Sequence, residues 1–408
     1  MDVNFLILAA ALVLIYGAVS GIASRSIVTP PMAFMLTGVL CGPLVLKLFD
    51  IQHQAAAVEL LATVALVIIV CSDASQINLR EFRKTERLPG RLLLIGLPLT
   101  MVLGAGIAKL AFPDFPLAAV ALIAVILSPT DAALGQAIIT NESVPETIRE
   151  GINVESGLND GICLPPIFIL LFLLGADLSD VPHHDWVSFT LMQILLAPVA
   201  GAIVGFGGGR LIDLAARRNW VDEGFGRLTM PAIALLAYAL AEAIGGNGFI
   251  AAFVSGLLLG VRTESVRKRM QSFSETEGTM LSLLVFLVLG LCLIPLTVQY
   301  WNVTTTVYAI LSLTVIRMLP VAISLIGLGY DWRTKLVIGW FGPRGIASIL
   351  YVLLLVRYLG TSGYEILIAT GVQTVALSVL LHGLTAAPLA NIYGRWMKAH
   401  ASSGDHEG

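Results

Sequence analysis

Four polar side chains stand at short intervals at the start of a long apolar segment. They are Glu155, Ser156, Asn159 and Asp160, in the 151–175 segment GINVESGLNDGICLPPIFILLFLLG. Because residues of a helix are about 100° apart, these four side chains cover about 140° of one helix face. A carboxylate, a hydroxyl and the carbonyls of an unwound helix suit a hard monovalent cation. The spacing therefore predicts an ion site on one face of this helix.

The Asp160 carboxylate is also a candidate proton carrier. A partly dehydrated cavity favours the protonated form of a carboxylate, so Asp160 is expected to hold a proton near neutral pH. One carboxylate oxygen cannot hold a proton and a cation at the same time. Competition of this kind is the minimal machinery of a cation/proton exchanger.

Three further charged residues lie inside apolar segments: Asp131, Arg317 and Arg344. A charge at a helix centre costs about 2.5–3.5 kcal/mol, which is tolerated when the group faces a cavity or a partner. Asp131 follows Pro129 in LSPTDAA, and Arg344 follows a proline in FGPRGIA. Proline removes a backbone donor, so both helices are predicted to open at these points. The partial charges of the exposed helix ends suit Asp131 at the first break and Arg344 at the second.

The elements that carry these residues are predicted to be membrane helices. Hydrophobic residues make up 57% of the 408 residues and charged residues 12%, and the mean hydropathy is +0.88. No stretch is polar enough to form a soluble domain. A window of about 20 apolar residues gives thirteen predicted spans. They lie near residues 3–24, 27–47, 55–74, 91–111, 115–139, 146–175, 187–216, 225–244, 247–261, 276–298, 304–328, 334–357 and 364–393.

The two predicted breaks occupy equivalent positions in the chain. If spans one to six and eight to thirteen form two repeats, with span seven as a linker, each break falls in the fifth helix of its repeat. Seven helices separate equivalent positions, so the repeats have inverted topology. A matched pair of broken helices indicates a transporter site near the bilayer midplane. We therefore predict an all-α integral membrane protein with about thirteen transmembrane helices, two inverted repeats of six and discontinuous helices five and twelve.

Charge predicts the orientation of the chain in the membrane. Most of the 24 basic residues lie in connections after odd-numbered spans or in the C-terminal tail. The positive-inside rule then places the N-terminus on the outer side and the C-terminus on the cytoplasmic side of a cell membrane. We expect this membrane to be a prokaryotic inner membrane. The net charge of −3 favours no nucleic-acid partner, and no motif indicates a cofactor.

Five segments together resemble a known family. They are SPTDA, ESGLNDG, GGNGFIAAFVSGLLLG, GPRGIAS and LHGLTAAPLA. They are similar to the motifs of NhaP-type sodium/proton antiporters, which belong to the first cation/proton antiporter family and are relatives of the animal sodium/proton exchangers. The resemblance covers essentially the whole chain.

This resemblance implies a Na⁺ site formed by Asp160, Ser156 and the main-chain carbonyl of Thr130. Asn159 would brace the site, and Asp131 would lie close by, through a water molecule or directly.

The resemblance also implies an ion pair between Glu155, itself near the site, and Arg344. Arg317 is the second buried arginine of the core. Both arginines are predicted to have structural roles.

The predicted transporter is a single unit of residues 1–408. Residues 1–90 and 187–298 are assigned to scaffold and dimerisation helices, and residues 91–175 and 304–393 to the ion-translocating core. The family resemblance further implies a homodimer in the lipid bilayer.

The predicted function is secondary active antiport, not enzyme catalysis. Protons would exchange for Na⁺ or Li⁺, one for one and without net charge movement, by competition at Asp160 in an alternating-access site. An exchanger that prefers K⁺ is the alternative within the family. Two other classes are an intramembrane aspartyl protease, with Asp131 and Asp160 as its dyad, and a passive cation channel. The protease motifs G-x-G-D and P-A-L are absent, and a channel needs no titrating carboxylate.

Two other features are interpreted as structural. The segment GFGGGR at 205–210 predicts close helix packing, because it follows no predicted strand. His382 is interpreted as a packing histidine and not as a pH sensor.

Overall fold

Helices form the framework of the protein. The computed structural model describes residues 3–23, 28–49, 55–76, 87–132, 134–175, 186–259 and 278–404, and these ranges contain no strand, as predicted. The helices are α1 Val3–Ala23, α2 Pro30–Cys41, α3 Ala55–Gln76, α4 Arg87–Ala111, α5 Leu117–Ile126, α6 Gln136–Ile139, α7 Glu146–Leu173, α8 Trp186–Arg217, α9 Glu223–Ala243, α10 Gly248–Leu259, α11 Thr279–Tyr300, α12 Val303–Ser324, α13 Trp332–Trp340, α14 Ile346–Leu359 and α15 Glu365–Gly404.

Six of the described helices contain an apolar stretch long enough to cross a membrane, namely α4, α7, α8, α11, α12 and α15. A stretch of 18 or more apolar residues spans the hydrocarbon core of a bilayer, so these helices identify an integral membrane protein. Several shorter apolar helices accompany them. Among these, α5 precedes the first of the two breaks described below, and α14 follows the second.

Some helix boundaries differ from the predicted spans. The predicted span 27–47 contains only α2, because Gly42 takes an extended backbone with φ −71° and ψ −176°, and Pro43 follows it. The last helix, α15, continues to Gly404, well beyond the predicted end at 393, because polar residues end an apolar window without ending a helix. The basic connections at 77–86 and 260–277 lie outside the described residues.

Both predicted breaks are confirmed. The first separates α5, which ends at Ile126, from the short helix α6, and Pro129 lies in the non-helical stretch between them. The second separates α13 from α14 at residues 341–345, which contain Pro343. Each proline lacks the N–H that would continue the helix, so the chain leaves the helical path there.

Glycines let α10 pack closely on two neighbours. A Cβ atom at Gly256 of α10 would collide with the Cys71 carbonyl of α3, and one at Gly205 of α8 would collide with the backbone of Ser255. The thiol of Cys71 also meets the Ser255 hydroxyl at 3.5 Å. Small residues at a helix interface allow the backbones to approach. The predicted packing role of the GFGGGR segment is therefore confirmed at Gly205.

Asp331 caps α13 at the end remote from the break. Its carboxylate accepts hydrogen bonds from the backbone N–H groups of Thr334 at 3.0 Å and Arg333 at 3.2 Å. Slight burial raises the pKa of Asp331, but these hydrogen bonds and the Arg333 charge outweigh it and hold the pKa below its ordinary value. A carboxylate at this position also interacts favourably with the positive end of the helix.

Candidate functional site

The polar face of α7 lies inside the protein, as its sequence predicts. Glu155, Ser156, Asn159 and Asp160 are all buried, and Asp160 is the most accessible of them at 7%. The carboxylate atom Oδ1 of Asp160 and the amide atom Oδ1 of Asn159 are buried and accept no hydrogen bond from the described residues. A buried acceptor without a donor is costly, so these two oxygens identify a place suited to a positively charged ligand.

The break after α5 meets this face through Thr130. The hydroxyl of Thr130 lies 2.9 Å from the Ser156 hydroxyl and accepts a hydrogen bond of 2.8 Å from the Asn159 amide. The structure therefore places the Thr130 side chain against Ser156 and Asn159, on the helix face that also carries Asp160. The predicted role of the Thr130 main-chain carbonyl as a ligand stays a prediction. Two hydroxyls, an amide oxygen and a carboxylate form a set of hard oxygen ligands.

Asp131, in the first break, contacts the second break, and Arg344, in the second break, contacts the first. Asp131 Oδ2 accepts a hydrogen bond of 3.0 Å from the N–H of Ile346, the first residue of α14. Arg344 Nη1 donates to the carbonyls of Ser128 and, at 3.0 Å, Pro129, which follow the end of α5. A negative group therefore faces a helix N-terminus, and a positive group faces carbonyls at a helix C-terminus.

The prediction that each charge serves its own break is accordingly wrong for Arg344, and for Asp131 it is incomplete, since Asp131 Oδ1 also accepts the N–H of Leu134 in the first break at 3.4 Å. The two breaks face one another, and a third contact joins them, since the Asp131 N–H donates to the Pro343 carbonyl at 2.8 Å. A proline opens each helix locally, and several of the free backbone groups are satisfied by the opposite break. Sequence separation alone cannot reveal this pairing.

The predicted ion pair between Glu155 and Arg344 is also wrong. Glu155 pairs with Arg317 of α12 through two hydrogen bonds, of 2.6 Å from Nη1 and 2.8 Å from Nη2. The guanidinium of Arg344 is turned instead toward the carbonyls of Ser128 and Pro129 in the first break. A Cβ atom at Gly342 would collide with Arg317 Nε, so the second break leaves room for this ion pair.

Two residues near the site were missed from the sequence. Asp73 of α3 interacts electrostatically with Asp160, as does Asp131, so three carboxylates share one region. The hydroxyl of Tyr351 donates a hydrogen bond of 2.6 Å to the Asp160 main-chain carbonyl. The only sequence signal for Asp73 was the polar ending CSDASQ of an otherwise apolar span, which is indistinguishable from an ordinary helix end.

The geometry suits a monovalent cation and a proton. Among the described residues there is no group of three or more His, Cys, Asp or Glu side chains arranged to hold a metal ion. The oxygens around Asp160 instead belong to one carboxylate, two hydroxyls and an amide, with further carboxylates at longer range. Such a site can hold a singly charged cation or let Asp160 take a proton.

Comparison with known proteins decides the family. The family model described as sodium/hydrogen exchanger, transmembrane, matches residues 7–392. The chain belongs to the sodium/hydrogen exchanger family. Its members are transporters, so this exchanger is a cation/proton antiporter and not an enzyme, and the aspartyl-protease alternative is excluded.

Relatives of this exchanger match most of its length. A K⁺/H⁺ antiporter NhaP of Alkalimonas amylolytica is 25% identical over 400 residues, which cover 97% of this chain and 67% of the relative. A Na⁺/H⁺ antiporter of Schizosaccharomyces pombe is 28% identical over 342 residues, covering 77% of this chain and 71% of the relative.

A solved structure supports the fold. The sodium proton antiporter MjNhaP1 from Methanocaldococcus jannaschii superposes with a TM-score of 0.76 at 20% identity, over 95% of this chain and 98% of that one. The predicted resemblance to NhaP-type antiporters is confirmed.

Proposed function

We propose that this exchanger carries Na⁺, or Li⁺ in its place, against protons by competition at Asp160. The observation that supports the proposal is the buried Asp160 Oδ1, which accepts no hydrogen bond from the described residues and lies on the same face as Ser156. Either a proton or a desolvated cation satisfies this oxygen, and one excludes the other. Ser156 and Thr130 would supply further oxygen ligands, and Asn159 would hold the Thr130 hydroxyl in place.

The contact between the two breaks supports an alternating-access core. Asp131 and Arg344 tie residues 91–175 and 304–393 to each other, so these ranges would move as one body. The close packing of α3 on α10 joins the ranges 1–90 and 187–298, which would form the scaffold and the homodimer contact. We further propose thirteen transmembrane helices in two inverted repeats, with the N-terminus outside and the C-terminus in the cytoplasm of a prokaryotic inner membrane.

One-for-one exchange without net charge movement follows from counting charges in the moving core. Arg317 compensates Glu155, and backbone N–H groups hold the Asp131 carboxylate, so Asp160 would be the single carboxylate that loads and unloads on each cycle. Asp160 with Na⁺ and Asp160 with H⁺ carry the same net charge. Asp73 lies on α3 in the proposed scaffold, so it would meet the cation without travelling with it.

The second candidate is exchange of K⁺ for protons. The relatives from Alkalimonas amylolytica and from Shewanella are named K⁺/H⁺ antiporters, whereas the Schizosaccharomyces pombe relative is named a Na⁺/H⁺ antiporter. The ligand types at Asp160 suit either ion, since both are hard monovalent cations.

One assay separates these proposals. Purified protein is reconstituted in proteoliposomes with an internal pH-sensitive dye, and Na⁺, Li⁺, K⁺ or choline is added in turn. We expect Na⁺ and Li⁺ to move protons and choline to move none. A response to K⁺ alone would favour the second candidate, and a cation current without proton movement would indicate a channel.

The stoichiometry needs a separate measurement on the same vesicles. A potential of 100 mV is worth about 2.3 kcal/mol per charge, which would change the final cation ratio about fifty-fold if one net charge moved per cycle. We expect the pH gradient that stops net flux to be unaffected by an imposed potential. A clear shift would show that a second carboxylate of the moving core, Glu155 or Asp131, also exchanges protons.

A further inference from the structure

The second break exposes backbone groups that one turn of α15 satisfies. The N–H of Arg344 donates to the Ser378 hydroxyl at 2.7 Å. The carbonyl of Trp340, the last residue of α13, lies 3.0 Å from His382 Nε2 and also accepts the Gly342 N–H at 2.8 Å. Ser378 and His382 are four residues apart and therefore share a face of α15. Both are buried.

The hydrogen bonds through this pair have a defined direction. Both ring nitrogens of His382 lie near a carbonyl oxygen, Nε2 at 3.0 Å from that of Trp340 and Nδ1 at 3.1 Å from that of Ser378. Nδ1 also has the Ser378 hydroxyl as a donor, so we assign the ring proton to Nε2, which donates to Trp340. His382 Nδ1 is then an acceptor, 3.2 Å from the Ser378 hydroxyl. That hydroxyl accepts from the Arg344 N–H and donates to His382. We call the pair Ser378 and His382 the clasp, because it holds both ends of the second break.

The clasp reaches the proposed cation site through two further contacts. Pro343 lies between Trp340 and Arg344, the two residues that the clasp binds, and its carbonyl accepts the N–H of Asp131. The Arg344 side chain holds the carbonyls of Ser128 and Pro129. Thr130 lies directly between these anchored residues, so its position depends on where the second break is held.

We propose that Ser378 and His382 are positioning residues that set the affinity of the site for its cation. This inference rests on the proposed cation site at Asp160. Their hydrogen bonds go to the backbone of the second break, so they would act on the site through that backbone and not as ligands. Loosening the clasp would shift the Thr130 carbonyl and hydroxyl relative to Asp160, and cation ligands tolerate little displacement.

The test compares two substitutions of nearly equal volume. His382→Gln keeps an amide donor for the Trp340 carbonyl, whereas His382→Met keeps the size and removes the donor. Both lose the ring contact with Trp340, whose centroid lies 4.9 Å from that of the imidazole. We expect His382→Met to raise the apparent KM for the cation by about fivefold, the factor that one net hydrogen bond is worth, with little change in maximal rate. His382→Gln should restore most of the affinity.

Thr385→Val is the matched control. Trp340 Nε1 donates to Thr385 Oγ1 at 3.1 Å, so this substitution removes another hydrogen bond between α13 and α15 without touching the break. We expect its KM to equal that of the parent. An equal rise in KM for Thr385→Val and His382→Met would overturn the proposal, because general loosening of the two helices would then explain both.

A second variant covers the case in which His382→Met does not fold. Ser378→Ala leaves the Arg344 N–H without its acceptor and should raise KM in the same way. A lower melting temperature with an unchanged KM, in either variant, would show a purely structural role and overturn the proposal. If the parent itself exchanges no cation, the proposed function fails, and this inference falls with it.

Discussion

The ion pair between Glu155 and Arg317 offers a quantitative test of the core. Each side chain is 1% exposed, and hydrogen bonds of 2.6 and 2.8 Å join the guanidinium to the carboxylate. Arg317→Gln removes the positive charge and leaves the buried carboxylate without its partner. We expect the free energy of unfolding to fall by about 3–5 kcal/mol, the range found when one partner of a buried pair is removed.

The matched control is the ion pair between Arg217 and Asp213. Its charged atoms are 3.1 Å apart, but the Arg217 side chain is 75% exposed. Arg217→Gln should therefore cost less than about 1 kcal/mol, because solvent already screens the pair. Both variants are unfolded by denaturant titration in the same detergent. Equal losses of stability would refute the argument that burial decides the energy of these pairs.

A double substitution separates the ion pair from general damage. Glu155→Gln together with Arg317→Gln leaves two neutral amides, so neither site holds an unpaired charge. We expect the double variant to lose clearly less stability than the sum of the two single variants, because each single change includes the penalty of a stranded charge. If the two single losses of stability simply add in the double variant, the two residues do not interact in the folded protein.

Three further predictions concern helix packing, the site backbone and a helix cap. Gly256→Ala should destabilise the protein, because its Cβ would collide with the Cys71 carbonyl, whereas Gly207→Ala, with open space around the new Cβ, should not; melting temperatures in detergent compare the two. Tyr351→Phe removes the hydroxyl that holds the α7 backbone at the site, and we expect a few-fold rise in KM, about the factor of one hydrogen bond. Asp331→Ala should lower stability by about 1 kcal/mol at neutral pH. Since the folded-state pKa of Asp331 is lowered, its stabilisation is present above about pH 4 and is lost as the pH falls further, so the variant and parent should converge in acid.

The sequence predicts local features of the site well. Pro129 and Pro343 mark breaks that the structure contains, because the effect of proline depends only on the adjacent backbone. The spacing of Ser156 and Asp160 predicts a shared polar face, because residues four apart in a helix lie on the same side of it.

Contacts between distant helices could not be predicted in the same way. Two buried arginines were available to Glu155, and only the placement of α12 relative to α7 in the fold determines that Arg317 is its partner. The crossed contacts of Asp131 and Arg344 depend likewise on how the two breaks face each other. Asp73 was missed because a polar residue near the end of an apolar helix is common, and only its electrostatic interaction with Asp160 distinguishes it.

The most direct test of the central claim is exchange by Asp160→Asn in proteoliposomes. Asparagine keeps the shape of the side chain but can neither release a proton nor neutralise a cation. We expect normal folding, judged by the melting temperature, and no exchange with Na⁺, Li⁺ or K⁺. Asp160→Glu, which keeps the carboxylate, should retain some exchange. Substantial exchange by well-folded Asp160→Asn would contradict the proposal that this carboxylate carries both the cation and the proton.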